Sequence, residues 1–351
     1  MKDNIRATVA VAMSGGVDSS GAAALLLEQG YAVIGVTMRL FQDTHNIDDA
    51  RKTADAVNIP HYVFDFREVF EARIIRYFRE EYAAGRTPNP CVLCNPLIKF
   101  GLLFDKAHEL GADLFATGHY VNVAQHETTG RYMLKAASAK GKDQSYFLYR
   151  LSQEQLGRTL FPLATHAKDE IRDRARRFHL DHVAEKAESQ ENCFVGEQSY
   201  QQYLEQSLDT EARKPGPIVD TQGSVLGEHQ GIHRYTIGQR RGLGIALGKP
   251  CYVVDIHADA NTIVVGENSD LMRDTCRVRD MNFSAIAPPA DPLGCQVKIR
   301  YRHAATPAII TPGPNTDEFT VRFETPQRAI TPGQSAVFYQ DDLVLGGGTI
   351  Q

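Results

Sequence analysis

The sequence predicts an α/β chain: a parallel sheet with crossover helices in its first half, then a small β-rich linking domain, then a C-terminal β-barrel. Three observations carry that expectation. Short apolar runs alternate with amphipathic stretches over the first half of the chain, the pattern of strand–helix–strand units. A Gly15-Gly16 pair stands between the first apolar run and the first helical stretch, where such sheets hold their ligands. From Lys214 onward helical periodicity disappears and turn signals recur between short β-rich runs. A length of 351 residues suits two or three domains, expected at 1–196, 197–268 and 269–351.

Taken in order, Thr8-Val9-Ala10-Val11-Ala12-Met13 reads as a buried parallel strand. Ser14, Gly15, Gly16 and Val17 follow as a tight turn, because glycine tolerates the backbone angles and lets a phosphate come close. Asp18, Ser19 and Ser20 are expected to cap the helix that continues to Leu27. Free N–H groups and the positive helix end then converge on one spot, which makes an anion cradle. The loop has neither the lysine of a Walker loop nor the GxGxxG of a dinucleotide fold. Residues 31–38 read as a second strand ending at Met38, 47–57 as a helix, 61–65 as a third strand, and 67–82 as an amphipathic helix.

Residues 85–96 lack periodicity, and their three prolines predict a stiff loop presenting Cys91 and Cys94. A helix over 97–110 carries Lys99, and a fourth strand over 113–117 delivers Gly118 and His119 to the ligand-binding edge. A hairpin is expected at 121–136, a helix opening at 142–148, a basic helix at 168–179 and a helix at 198–208. Ser189-Gln190-Glu191-Asn192-Cys193-Phe194 closes the first half. Strands are expected at 251–256, 262–265, 296–301 and 335–339.

Composition narrows the class. The chain is 42% hydrophobic and 23% charged, which suits a folded globular protein rather than a disordered one. No apolar run approaches the roughly 20 residues that span a bilayer, and the first strand begins almost at residue 1, so no membrane partner, no signal peptide and a cytoplasmic location are expected. A net charge of −5 does not by itself favour nucleic acid, but basic clusters exist at Arg172–Arg177, Arg234–Arg241 and Lys298–His303. Cys251, Cys276 and Cys295 lie in strand-like patterns and read as buried hydrophobes. Cys91, Cys94 and Cys193 are different. Structural zinc usually takes two cysteine pairs, and a redox Cys-x-x-Cys usually opens a helix, whereas here prolines surround it. Sulfur transfer, a cluster held by three thiolates and three unrelated cysteines all stay open on these residues alone.

The loop Ser14-Gly15-Gly16-Val17-Asp18-Ser19 resembles the PP-loop of the N-type ATP pyrophosphatases, which implies an adenine-nucleotide α-hydrolase-like first domain. The resemblance extends nearly end to end to the bacterial tRNA 2-thiouridylases. It runs through Gly85-Arg86-Thr87-Pro88-Asn89-Pro90, Leu93-Cys94-Asn95, Ala116-Thr117-Gly118-His119-Tyr120, Lys142-Asp143-Gln144-Ser145, Cys193-Phe194, Thr236-Ile237-Gly238-Gln239, Arg300-Tyr301-Arg302 and Thr331-Pro332-Gly333-Gln334.

That resemblance implies the following. ATP sits on Ala12 to Ser19 with Met38 and Gly118 around the adenosine, and Asp18 serves magnesium. The wobble uridine is adenylated on its C2 oxygen and then thiolated, Cys193 carrying a persulfide from a donor protein (a cysteine desulfurase or relay) and Cys94 acting as nucleophile, with a Cys94–Cys193 disulfide left behind. The tRNA contacts fall at Asn89, Pro90, Cys91, His119, Lys142, Asp143, Gln144, Arg300, Tyr301 and Gln334. The free chain is expected to be a monomer. Cys91 stands where many relatives carry an aspartate, so Cys91, Cys94 and Cys193 could instead hold a [4Fe–4S] cluster. A small-molecule adenylating ligase is the rival enzyme; it gives the three cysteines and the β-rich tail no role.

Overall fold

The structure is a computed structural model that describes residues 7–42, 44–138, 142–185, 192–196, 198–245, 248–315 and 317–351. Ser189, Gln190 and Glu191, read as part of the segment closing the first half, lie outside the described residues.

The first half builds strands β1 (Thr8–Ala12), β2 (Ala32–Arg39), β3 (His61–Asp65), β4 (Leu114–Ala116), β5 (Val121–Gln125), β6 (Tyr132–Ala136) and β7 (Thr159–Leu160). Five of them form one parallel sheet in the order β3-β2-β1-β4-β7. Side chains alternate across a strand, so β1 feeds two cores at once. Val9 and Val11 join a core under helices α1 (Val17–Glu28) and α2 (His45–Ala56), whereas Ala10 packs with Phe100, Leu103 and Phe115 on the other face. The order reverses at β1, with β2 on one side and β4 on the other. The loops leaving β1 and β4 therefore diverge at the carboxyl edge and open the crevice where such sheets hold ligands.

Two expected elements take a different form. Residues 67–83 and 90–109 are continuous helical runs, α3 and α4, each with a wide π-type stretch (Glu71–Ile75 and Asn95–Leu102). The stiff loop expected around Cys91 and Cys94 is thus a correction: Pro90–Cys94 is the first turn of α4. Pro90 stands at the start, where its missing N–H costs nothing, and the wide turn behind it accommodates Pro96. The helix expected to open at 142–148 is only a 3₁₀ turn at Ser145–Phe147. Tyr146, Leu148, Tyr149 and Leu151 are all buried, so no polar face is left for a surface helix, and Ser152 then starts α5 (Gln153–Gly157) with its own capping box.

Helices α6 (Lys168–Arg177), α7 (Asp181–Ala184) and α8 (Tyr200–Ser207) follow. The linking region contributes β8 (Gly216–Val219), β9 (Val225–His229), β10 (Tyr252–His257) and β11 (Thr262–Gly266) as a four-stranded sheet. The last region contributes β12 (Met272–Phe283), β13 (Leu293–Lys298), β14 (Thr306–Pro312), β15 (Phe319–Arg328), β16 (Ser335–Gln340) and β17 (Leu343–Ile350). These run β12-β15-β14-β13-β16-β17 and close by pairing β12 with β17, the expected barrel. The β5–β6 hairpin belongs to this sheet rather than to the parallel one, through Lys135 opposite Leu343. No helix among the described residues is long and apolar enough to cross a membrane.

Candidate active site

The nucleotide loop is built as the crevice requires. Gly15 takes φ +69°, and a Cβ there would stand 2.3 Å from the Asn46 carbonyl oxygen, so only glycine fits. Ser14 is exposed at the loop's tip. The expected capping by Asp18, Ser19 and Ser20 takes another form. Gly16 is the N-cap, and the Ser19 and Ser20 hydroxyls each donate back to its carbonyl at 3.0 Å. Ser19 Oγ in turn accepts the Ser14 N–H at 3.1 Å, which ties the loop across its mouth. Below it, the Thr37 hydroxyl donates to the Met13 carbonyl at 2.8 Å. Met38 lies half-buried at the end of β2 and touches the apolar residues on the α4 side of the sheet.

Gly118, leaving β4, lies against the loop from the opposite side. A Cβ on it would stand 2.6 Å from the Asp18 carbonyl carbon and 2.7 Å from Ser19 N. Next to it, the Tyr120 hydroxyl donates to Asp18 Oδ1 at 2.8 Å, and Lys168 Nζ lies 2.6 Å from both Asp18 oxygens. Lys168 is a site residue that no sequence motif marks. Its only signal was its place at the start of a basic helix, and nothing in the chain announces that residue 168 meets residue 18. Asp18, expected to serve magnesium, here faces an ammonium group that a nucleotide could displace or share.

The three cysteines lie within electrostatic reach of one cation, Lys99, which also acts on His119. Cys94 and Phe194 sit in one apolar cluster with Phe70, Ile74, Ile75 and Ile98. The Phe194 ring packs edge-on against Phe70 at 5.8 Å, Phe78 at 5.0 Å and Tyr203 at 5.4 Å, so it anchors Cys193 to α3 and α8. Cys91 and Cys193 are exposed and Cys94 is half-buried. Cys91 and Cys193 thus reach solvent, while the protein packed around all three thiols still disfavours their charge. Burial pushes the Cys94 thiol up to about 11, with Lys99 opposing and Cys91 adding. Burial pushes Cys193 up to about 12, helped by Cys91 and Cys94 and opposed by Lys99. Cys91 is raised by burial too, again against Lys99. Of the three cysteines expected to be buried, Cys276 is buried and Cys251 and Cys295 are half-buried; burial pushes the Cys276 and Cys295 thiols up to about 12.

The implied Cys94–Cys193 disulfide is not formed: all six cysteines are free. Among the described residues no three His, Cys, Asp or Glu side chains stand in a metal-holding arrangement. Cys91, Cys94 and Cys193 therefore do not present a cluster site in this arrangement, and no step is derived through one.

Several residues expected at the RNA are engaged within the chain. Asp143 accepts from Ala137 N, Ser145 N and the Ser145 hydroxyl at 3.2, 3.1 and 2.8 Å. Gln144 Oε1 accepts from Tyr120 N at 2.9 Å, Arg300 donates to the Ile237 and Ala329 carbonyls, and Gln334 donates to the Thr87 carbonyl. The Tyr301 ring packs at a tilt against Phe147 with centroids 4.5 Å apart, and Lys142 is half-buried. Burial, with Lys99 adding, holds His119 well below its ordinary range, and the Thr117 hydroxyl lies 2.8 Å from its Nδ1, so it meets a ligand as a neutral ring. Asn89 stands at the N-terminal boundary of α4 without a side-chain capping bond, and Pro90 after it is buried. A cavity of about 500 Å³ in the linking region, lined by Arg240, Leu243, Lys249 and Cys251, contains none of these residues and is not this site.

Comparison with known proteins agrees with this architecture. Residues 7–197 match the tRNA methyl transferase HUP domain, 201–267 the tRNA methyl transferase PRC-barrel domain, and 273–350 the aminomethyltransferase β-barrel domain. The tRNA-specific 2-thiouridylase MnmA of Acetivibrio thermocellus is 46% identical over 357 residues, covering 98% of this chain and 99% of that protein. Its counterpart in Moorella thermoacetica is 50% identical over 355 residues, covering 97% and 98%. Among solved structures, a 4-thiouridine synthetase–RNA complex with bound ATP aligns at a TM-score of 0.38 and 15% identity over 57% of this chain and 50% of that one, too distant to carry an argument. At this identity, over almost the whole length of both chains, the protein belongs to the tRNA-specific 2-thiouridylase family.

Proposed function

We propose that this chain, a tRNA sulfurtransferase by family, uses ATP to replace the C2 oxygen of the wobble uridine (U34) of tRNA by sulfur, releasing AMP and pyrophosphate. The observation that carries the reading is the meeting of Cys94 with Phe194, the neighbour of Cys193 about a hundred residues away in the chain, in an apolar cluster that also includes Met38 at the end of β2.

The residues fit a nucleotide. Ser14 to Ser19 present backbone N–H groups at a helix N-terminus, Gly118 leaves room for close approach, and Met38 offers apolar contact to a base. Asp18 and Lys168 would hold magnesium and phosphate charge between them; magnesium would screen the pyrophosphate as it leaves. The uridine O2 attacks the α-phosphorus, forming a P–O bond as the bond to pyrophosphate breaks. Uracil C2 then carries AMP as leaving group in place of an oxygen that would not depart.

Cys193 receives sulfur from a donor protein, a cysteine desulfurase or relay, as a persulfide. The Cys94 sulfur attacks the inner sulfur of that persulfide, forming a Cys94–Cys193 disulfide and releasing hydrosulfide. Hydrosulfide adds to C2, and AMP departs with the original oxygen. Two electrons from an external thiol reductant restore the thiols. Cys193 is exposed, where a donor protein reaches it, and Cys94 is half-buried in the apolar cluster that holds Phe194; the thiolate of Cys94 is the form that attacks. Asn89, Pro90 and Cys91 flank the place of the target base, and His119, Lys142, Asp143, Gln144 and Tyr301 border the RNA. The enzyme works in the cytoplasm and is a monomer when free of its partners.

The test pairs tRNA-dependent pyrophosphate release with nucleoside analysis for 2-thiouridine. Cys94→Ser and Cys193→Ser should each abolish 2-thiouridine while pyrophosphate release persists. Thiolation retained in either variant would overturn the assigned roles.

A further inference from the structure

Four stretches quoted for the family resemblance, those of Thr87, Thr236, Arg300 and Gln334, are brought by the fold to one point. The point is Thr87, in the segment that leads into Cys91 and Cys94. Its backbone N–H donates to the Pro332 carbonyl of the barrel region at 2.9 Å. Its carbonyl accepts from Gln334 Nε2 of the same region at 2.8 Å. Its hydroxyl donates to Thr236 Oγ1 of the linking region at 3.2 Å. Gly333 lies flat on it: a Cβ there would stand 3.0 Å from the Thr87 N, C and O atoms, and φ is +87°.

Arg300 locks the same junction from behind. It donates to Ile237 O at 3.0 Å, to Ala329 O at 3.1 Å and to the Thr331 hydroxyl. Between Thr87 and Cys91 lie only Pro88, Asn89 and Pro90, and Pro88 and Pro90 are buried. A chain braced by two prolines has little freedom to absorb a shift. At the far end, the buried Asn95 donates to the Phe147 carbonyl at 3.0 Å, so the turn carrying both cysteines is pinned on both sides.

We propose that Thr87 is a positioning residue for sulfur transfer: the barrel and linking regions hold it, and through Pro88 and Pro90 it sets where Cys91 and Cys94 stand against the activated base. Gln334 and Arg300 then serve the reaction from within the chain, as parts of this junction. The proposal rests on the thiolation reading above. It predicts a particular defect: ATP is still split on tRNA, but the sulfur step misses.

The experiment measures pyrophosphate released and 2-thiouridine formed by the full-length protein with tRNA, ATP, magnesium and a persulfide-loading sulfur source. Thr87→Val removes the hydroxyl while keeping the shape, Thr87→Ser restores it, and Gln334→Ala removes only the barrel's grip on the Thr87 carbonyl. An ångström-scale displacement costs on the order of 10- to 100-fold in a positioned step. Pyrophosphate released per 2-thiouridine should therefore rise about tenfold or more in Thr87→Val and Gln334→Ala, with the KM for tRNA held, and Thr87→Ser should return the ratio to that of the parent. Thermal melts identify a variant that has lost its fold, and Gln334→Ala, which removes one hydrogen bond, then supplies the reading. Equal falls in both products, or an unchanged ratio, overturn the positioning role. A parent protein that forms no 2-thiouridine with any sulfur source overturns the thiolation reading and this proposal with it.

Discussion

A methyl group at position 118 would stand 2.6 Å from the Asp18 carbonyl carbon, 2.7 Å from Ser19 N and 2.9 Å from Asp18 Cβ. Ordinary contact begins near 3.4 Å, so Gly118→Ala asks the two backbones to part by about 0.8 Å. Neither neighbour is the flexible end of a side chain. Asp18 and Ser19 lie in the first turn of α1, tied by the Ser19-to-Gly16 and Ser14-to-Ser19 bonds. Gly118 follows β4, which pairs directly with β1. Overpacking of this kind costs about 1–3 kcal/mol, read as a melting shift of about 2–4 °C per kcal/mol for a domain of this size. The same displacement falls on the phosphate cradle, where misplacement near 1 Å costs up to about 100-fold. Isothermal titration with magnesium and a non-hydrolysable ATP analogue should show affinity weakened about 10- to 100-fold, alongside the lowered melt. A variant that melts lower but binds the analogue as the parent does would refute the reasoning, because the strain would then have been relieved in the sheet and the cradle would not lie at this contact.

Two further outcomes follow from the same geometry. Lys168→Met leaves the Asp18 carboxylate with the Tyr120 hydroxyl but no cation. It should cost on the order of 1 kcal/mol, the lower end for a charged hydrogen bond, because that carboxylate is about one-third exposed and solvent screens it; it should also sharply reduce tRNA-dependent pyrophosphate release, and unaltered release at every magnesium concentration would remove Lys168 from the site. Glu205 of α8 is held down to about 2 by hydrogen bonds from Arg234 first and His233 after it. Its depressed carboxylate contributes stability that is full above its ordinary value near 4.5 and is lost as pH falls toward about 2. Melts of Glu205→Gln across that window should show a flatter acid limb than the parent, and parallel limbs would mean the clamp contributes nothing.

Much of the site was legible because its signals are local. A Gly-Gly turn between an apolar strand and a small-residue helix describes its own conformation, and the prolines around Cys91 and Cys94 mark a special segment. The state of that segment was misread. Three prolines argue against a helix by propensity, but Pro90 occupies the first helical position and a wide turn absorbs Pro96. The 142–148 stretch was misread for the converse reason: it carries helix-compatible residues, but tertiary burial takes Tyr146 and Tyr149 to Ser335, 189 and 186 residues away.

Sequence alone determined the strand and helix alternation and the glycine turn between the first strand and the first helix. Each rests on the chemistry or periodicity of a few neighbouring residues. Tertiary structure alone decided that Lys168 faces Asp18, that Phe194 delivers Cys193 to Cys94, that the β5–β6 hairpin joins the barrel sheet, and that Thr87 is gripped by two other regions. Those are pairings between residues up to about 250 positions apart. Such pairings follow from which apolar faces bury against one another, and no local pattern encodes that choice.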